Sequence, residues 1–268
     1  MNHTSIFVRA EQCLHADDIA QKIALTRQTA EDWRQGLVSH QDNGHCPITS
    51  FQPGRPQKPE LVPPSALPQR GMGSTEGRAA MIHAIVHIEF NAINLACDAL
   101  YRFRDMPRQY YEDWLFIAEE EAYHFELLRK RLNDIGYDYG DFDAHNGLWD
   151  VAQRSGNDIL HRMVAIPRVM EARGLDVTPS IMKKLTSVGD QATVDILKII
   201  LHDEIGHVAA GTRWFRYVCK SRNLDPDQTF QEVMQCYFPG AMRGPMNIEA
   251  RQEADFSDQE LRFLQSLS

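Results

Sequence analysis

Two tetrads in this chain pair a carboxylate with an imidazole: Glu121-Ala122-Tyr123-His124 and Glu204-Ile205-Gly206-His207. On a helix, residues three apart project from one face about a turn apart, so each Glu and His can reach the same metal ion. A single tetrad is a weak signal. The 16 Glu and 11 His among 268 residues would give roughly 0.7 of them by chance. A second pair of glutamates sharpens it. The step from Glu89 to Glu121 is repeated, to within one position, by the step from Glu171 to Glu204. The chain thus carries a Glu followed by Glu-x-x-His, twice, at nearly equal spacing.

That set matches the ligands of carboxylate-bridged di-metal bundles, in which two helices give one Glu each and two others give Glu-x-x-His. An interval of roughly 30 residues suits climbing one helix and returning to the same height on its antiparallel neighbour. The longer stretch from His124 to Glu171 leaves room for a crossover. The expected fold is therefore all-α: a ferritin-like four-helix bundle with a long crossover, an N-terminal helical hairpin, a Pro-rich strap and C-terminal helices.

Apolar phase supports the placement. Ile82, Ile85, Val86, Ile93 and Ala96 share the face of Glu89, and Trp114, Ile117, Ala118, Phe125 and Leu128 that of Glu121. Around Glu204 the stripe is Leu197, Ile200, Leu201, Val208 and Gly211. Around Glu171 it is looser, with Leu160, Val164, Pro167, Gly174 and Leu175. Carboxylates in core stripes need a positive partner. The expected metal ligands are Glu89, Glu121 and His124 in one half and Glu171, Glu204 and His207 in the other, with Glu121 and Glu204 bridging. Asp203 is expected to accept the ring proton of a ligand His, and Glu120 holds the matching position. Oxygen and imidazole donors suit two iron ions, with manganese the alternative; zinc favours fewer carboxylates. In a competing reading, Arg162, Arg168 and Arg173 neutralise the buried acids.

The elements expected to carry these residues run as follows. Residues 1–40 form an N-terminal helical segment, its second helix starting at Asp17-Asp18. Seven prolines mark 41–78 as an extended strap that wraps the surface. The bundle occupies 79–222, with helices at about 76–104, 107–136, 156–173 and 178–221, and a short crossover helix near 148–154. Gly174 is expected to stop the third helix, Pro167 to kink it, and Gly189 to break the fourth. A C-terminal extension over 223–268 carries helices near 225–237 and 257–267. His83 and His87, with Asn91 and Asn94, read as a polar or interface face turned away from Glu89. His161 reads as a surface residue.

A net charge of −9 gives no general nucleic-acid surface. No apolar run approaches the roughly 18 residues that a membrane-crossing helix needs, so no span is expected. The first residues lack a basic-then-apolar leader. Cytoplasmic residence follows as the default. Five dispersed cysteines (Cys13, Cys46, Cys97, Cys219, Cys236) read as reduced packing residues.

The segments HAIVHIEFNAINLACDALYRF, AEEEAYHFELLRKRL, MEARGLDVTP, DEIGHVAAGTRWF, PGRPQKPELVPP and GPMNIEAR resemble a ferritin-like family of uncharacterised bacterial proteins labelled a domain of unknown function. The likeness covers almost the whole chain. It implies a helical bundle with a di-metal centre and no settled reaction. The short Glu171-Ala172-Arg173 is also similar to tRNA-modifying non-haem di-iron hydroxylases. The function expected is a di-iron oxidoreductase that uses O2 on a small organic substrate, supplied by an external electron donor. The alternatives are an iron-binding or ferroxidase-type protein and a di-manganese enzyme that dismutates peroxide. A homodimer is the default assembly.

Overall fold

Most helices in this chain begin at a side chain that can accept from the first turn. In the computed structural model, which describes residues 4–41, 52–240 and 244–267, Ser5 caps α1 (Ile6–His15) and Asp18 caps α2 (Ile19–Arg34). Ser74 caps α3 (Thr75–Arg102) by accepting from the Gly77 amide, and Pro107 precedes α4 (Arg108–Asp134). These side chains satisfy amides that have no partner inside the helix. Residues 42–51, with Cys46, Pro47, Ile48 and Phe51 of the expected strap, lie outside the described residues.

The chain divides into two compact units, Met1–Trp149 and Asp150–Ser268, and the division falls inside the span expected for the bundle. In the first unit, α3 and α4 pack along each other, with α1 against α3 and α2 against α4. Val86, Ile93, Phe125 and Leu128 are fully buried, as their phase requires. By length and composition α3 could cross a bilayer, but 72% of its apolar window is buried within the protein. That apolarity is what a core helix needs. The described part of the strap follows the surface of this unit. Pro53 and Pro59 are buried, the Gly54 amide donates to Leu14 O, and Leu61 bridges to Ala144. One feature of the N-terminal segment is not helical: Thr4–Ser5 (β1) and Val38–Ser39 (β2) form a two-residue parallel pair.

His83 and His87 do not face outward. They are 1% and 7% exposed and hold the 137–147 loop against α3. The Gly140 amide donates to His83 Nε2 at 2.9 Å. His87 Nε2 lies 3.1 Å from His145 O and 3.0 Å from Asn91 Nδ2, and its Nδ1 lies 2.8 Å from the Tyr139 hydroxyl. Burial pushes both imidazoles down to about 4, so both are neutral at physiological pH.

Helix α5 (Gly147–Arg154) leads into the second unit. There the helix expected over about 156–173 departs from expectation. It runs as α6 (Ile159–Met163), a π-helical segment (Val164–Glu171) and α7 (Ala172–Ser187), passing straight through Gly174. Pro167 has no amide to donate, and the ladder widens around it: the Ala172 amide reaches back five residues to Pro167 O. The chain turns at Gly189 (φ +77°), and Asp190 caps α8 (Gln191–Ser221). Residues 178–187 therefore belong to α7 rather than to the fourth helix. Among the described residues, α9 (Pro226–Tyr237), α10 (Ile248–Glu253) and α11 (Asp258–Ser266) follow. The short α10 has no counterpart among the expected helices.

Buried ion pairs lock this tail down. Arg251 chelates Asp176 of α7 at 3.0 and 2.8 Å, and the Asn247 amide donates to the same carboxylate. Arg168 pairs with Glu260 at 2.6 Å under the rings of Phe215, Phe230 and Phe256. Arg173 reaches Asp176 and Pro245 O.

Gly211 of α8 faces Pro167 so closely that a Cβ would sit 2.4 Å from its ring carbons, whereas one at Gly174 would meet nothing within 4 Å. Gly211→Ala should therefore lose about 1–3 kcal/mol to overpacking, read by denaturant unfolding. Gly174→Ala should gain about 0.5–1 kcal/mol, because alanine costs less backbone entropy in a helix.

Candidate metal centre

Glu89 sits midway along α3, and Glu121 and His124 lie one turn apart on α4. All three are buried, at 3%, 1% and 0% exposure. The alignment of α3 with α4 brings them together, with ligand atoms within 4.8 Å of one another. His124 Nδ1 lies 3.5 Å from Glu89 Oε2 and 3.7 Å from Glu121 Oε2. No described residue donates a hydrogen bond to the buried Glu89 Oε2.

Electrostatics register the crowding. Burial and the neighbouring Glu121 charge hold the Glu89 carboxyl well above the usual carboxylate range. Burial opposes charge on His124, but the Glu121 and Glu89 carboxylates outweigh it and push the imidazole up to about 11. A raised folded pKa means that the native state holds the proton more tightly than the unfolded chain. The His124 contribution to stability is therefore complete below about pH 6.5 and is lost as pH rises through about 11.

In the second unit, Glu204 and His207 share one face of α8, with His207 Nδ1 3.7 Å from Glu204 Oε1. His207 is buried and Glu204 is 13% exposed at its side chain. Glu171 ends the π segment, which packs on α8. Among the described residues it does not close with Glu204 and His207 into a group as tight as that on α3 and α4. Asp203 and Glu120 are half-buried on their helices. His161 is half-buried, with its Nδ1 3.1 Å from the Tyr237 hydroxyl.

The donor set of the first unit fits a hard divalent cation. Two carboxylates and one imidazole, dry and pre-assembled, are the ligand types that suit iron and manganese. One more buried polar cluster joins Cys13, Lys22, Asn94 and Cys97. Its sequence signal is Lys22 lying between Ile19 and Ile23 and one turn before Thr26, on the buried side of α2.

Fold and site together define an all-helical protein with a buried Glu-Glu-His cluster able to hold a metal ion. The chain belongs to the family described as protein of unknown function DUF455, whose profile matches residues 15–262. It is 45% identical over 216 residues to an uncharacterised protein of Haemophilus influenzae, an alignment covering 78% of this chain and 75% of the relative. No solved structure matches it.

A metal ion binding here competes with protons held among Glu89, Glu121 and His124. Titrating Fe(II) or Mn(II) anaerobically in buffers of different ionisation enthalpy should show roughly one to two protons released per chain near pH 7. Glu89→Gln should reduce that release and weaken binding at least tenfold. Binding without proton release would remove this triad as the ligand set.

Proposed function

We propose that the chain is a non-haem di-iron oxidoreductase of ferritin-like type that uses O2 to oxidise a small organic substrate. Its ligands on this reading are Glu89, Glu121, His124, Glu171, Glu204 and His207. The observation that carries it is the burial of Glu89, Glu121 and His124 with their ligand atoms within 4.8 Å of one another. Each ion taken out of water costs several kcal/mol in effect, about the size of a whole domain's net stability when summed over a cluster. A divalent cation is the economical neutraliser of such a group. The second Glu and Glu-x-x-His, at a spacing within one residue of the first, support a counterpart half.

When bound, iron would supply the electrons for O2 reduction, and an external donor would replenish them. The residues of this chain do the rest. Glu121 and Glu204 would each supply a carboxylate to the metal ions. His124 gives up its proton on metal binding and so couples occupancy to pH. Val86, Phe90, Phe125 and Leu128, all buried, keep water from the α3–α4 half.

Elemental analysis of protein purified without chelators tests the proposal, beside a Glu121→Ala, Glu204→Ala double variant. About two iron atoms per chain, lost in the variant, is the expected result. Manganese in the same amount would redirect the reading to peroxide dismutation. No bound metal after anaerobic Fe(II) loading would overturn it.

A further inference from the structure

Away from the carboxylates, the first unit buries a second reactive cluster. Cys13 of α1 and Cys97 of α3 lie with their sulfurs 3.1 Å apart, at 1% and 3% exposure. Bonding distance is about 1 Å closer. Lys22 of α2 is fully buried beside them. Its Nζ donates to Cys13 O at 2.6 Å, to Leu14 O at 3.4 Å and to Asn94 Oδ1 at 2.7 Å. The Thr26 hydroxyl lies 3.0 Å from Cys13 Sγ.

Part of this is helix chemistry, since the Lys22 ammonium caps the last carbonyls of α1. Capping does not require a dry interior, however, and a lysine is rarely buried without an anion to face. Asp17 and Cys97 act on the ammonium more weakly, and the group that faces it most strongly and can become an anion is Cys13. Its thiol is lowered to about 7: the Cys97 S–H donates to it, burial opposes, and Lys22 and Thr26 lower it further. Cys97 is shifted the opposite way, chiefly because it is the donor in that contact. One sulfur is thus set up as a thiolate and the other as its thiol partner, the asymmetry that thiol–disulfide chemistry uses.

We propose that Cys13 and Cys97 are a peroxide-driven dithiol–disulfide couple that staples α1 to α3, with Lys22 as the positioning residue. The Cys13 thiolate attacks hydrogen peroxide; an S–O bond forms, the O–O bond breaks, and hydroxide leaves and takes up a proton as water. Cys97 then attacks the Cys13 sulfenic acid. The S–S bond forms, the S–O bond breaks, and the departing hydroxide takes the Cys97 proton. Two thiols and one peroxide become one disulfide and two waters; the two sulfurs are oxidised and the two peroxide oxygens reduced. Peroxide is small enough to enter on local opening of the unit. Glu89 lies eight residues before Cys97 on α3, about 12 Å along the same helix. The couple does not rest on the iron reading.

The experiment is peroxide titration of the folded full-length protein, followed by alkylation, digestion and mass spectrometry, with Cys236 as an exposed internal comparator. The expected product is a Cys13–Cys97 linked peptide that has lost two hydrogens and appears before Cys236 is oxidised. In Cys97→Ser the reaction should stop at a Cys13 sulfenic acid trapped by a 1,3-diketone. Lys22→Met should slow crosslinking roughly tenfold and move its pH profile upward, and Lys22→Arg should restore both. Oxidation confined to Cys236 would overturn the couple, as would crosslinking seen only in denaturant. An unchanged rate in Lys22→Met would overturn the role given to the lysine.

Discussion

Negative charge buried between α3 and α4 is the constraint on which the first unit turns. Glu89 and Glu121 occupy positions where the apolar stripe would otherwise accept an aliphatic residue, and His124 is drawn between them. The arrangement is tolerable only while something positive stands there, whether a proton shared through the imidazole or a metal ion. Everything around the cluster keeps that choice narrow. The helices are long, α3 starting at its Ser74 cap, their flanking residues Val86, Ile93, Phe125 and Leu128 are fully buried, and the loop over 137–147 is fastened by neutral histidines that add no competing charge.

The second unit carries two buried ion pairs that are matched within the protein. Arg168 with Glu260 and Arg251 with Asp176 tie the C-terminal helices back to the π segment and α7. This gives the late segment GPMNIEAR a physical role: Asn247 and Arg251 both bind Asp176. Two of the three arginines considered as neutralisers of the proposed ligands, Arg168 and Arg173, hold Glu260 and Asp176.

Helix positions and the all-α class were legible because caps and apolar phase are local properties. Asp18, Ser74 and the apolar neighbours of Glu89 and Glu121 could be read directly, and so could the tetrads. What could not be read depends on contacts distant in sequence. His83 and His87 have the same one-turn spacing whether they face solvent or a loop far along the chain. Cys13 and Cys97, 84 residues apart, share no motif. Gly174 carries a stop signal that tertiary packing overrides, since glycine is only a modest cost inside a helix held from both sides. In the described part of the strap ahead of α3 the buried residues are Pro53 and Pro59, while Leu61, Val62 and Leu67 are half-buried.

The looseness of the stripe around Glu171 has its origin in the π segment. Reaching back five residues instead of four inserts, in effect, one extra residue into a turn and shifts the helical frame by about 100°. Leu160 and Val164 are therefore in phase with each other, and Ala172 and Leu175 with each other, but the two pairs answer to different frames. One continuous rod thereby shows two faces, and Glu171 stands where the frame changes. Its bearing is decoupled from the core that α6 builds, so the core and the bearing of this carboxylate can diverge independently, by a single insertion or deletion.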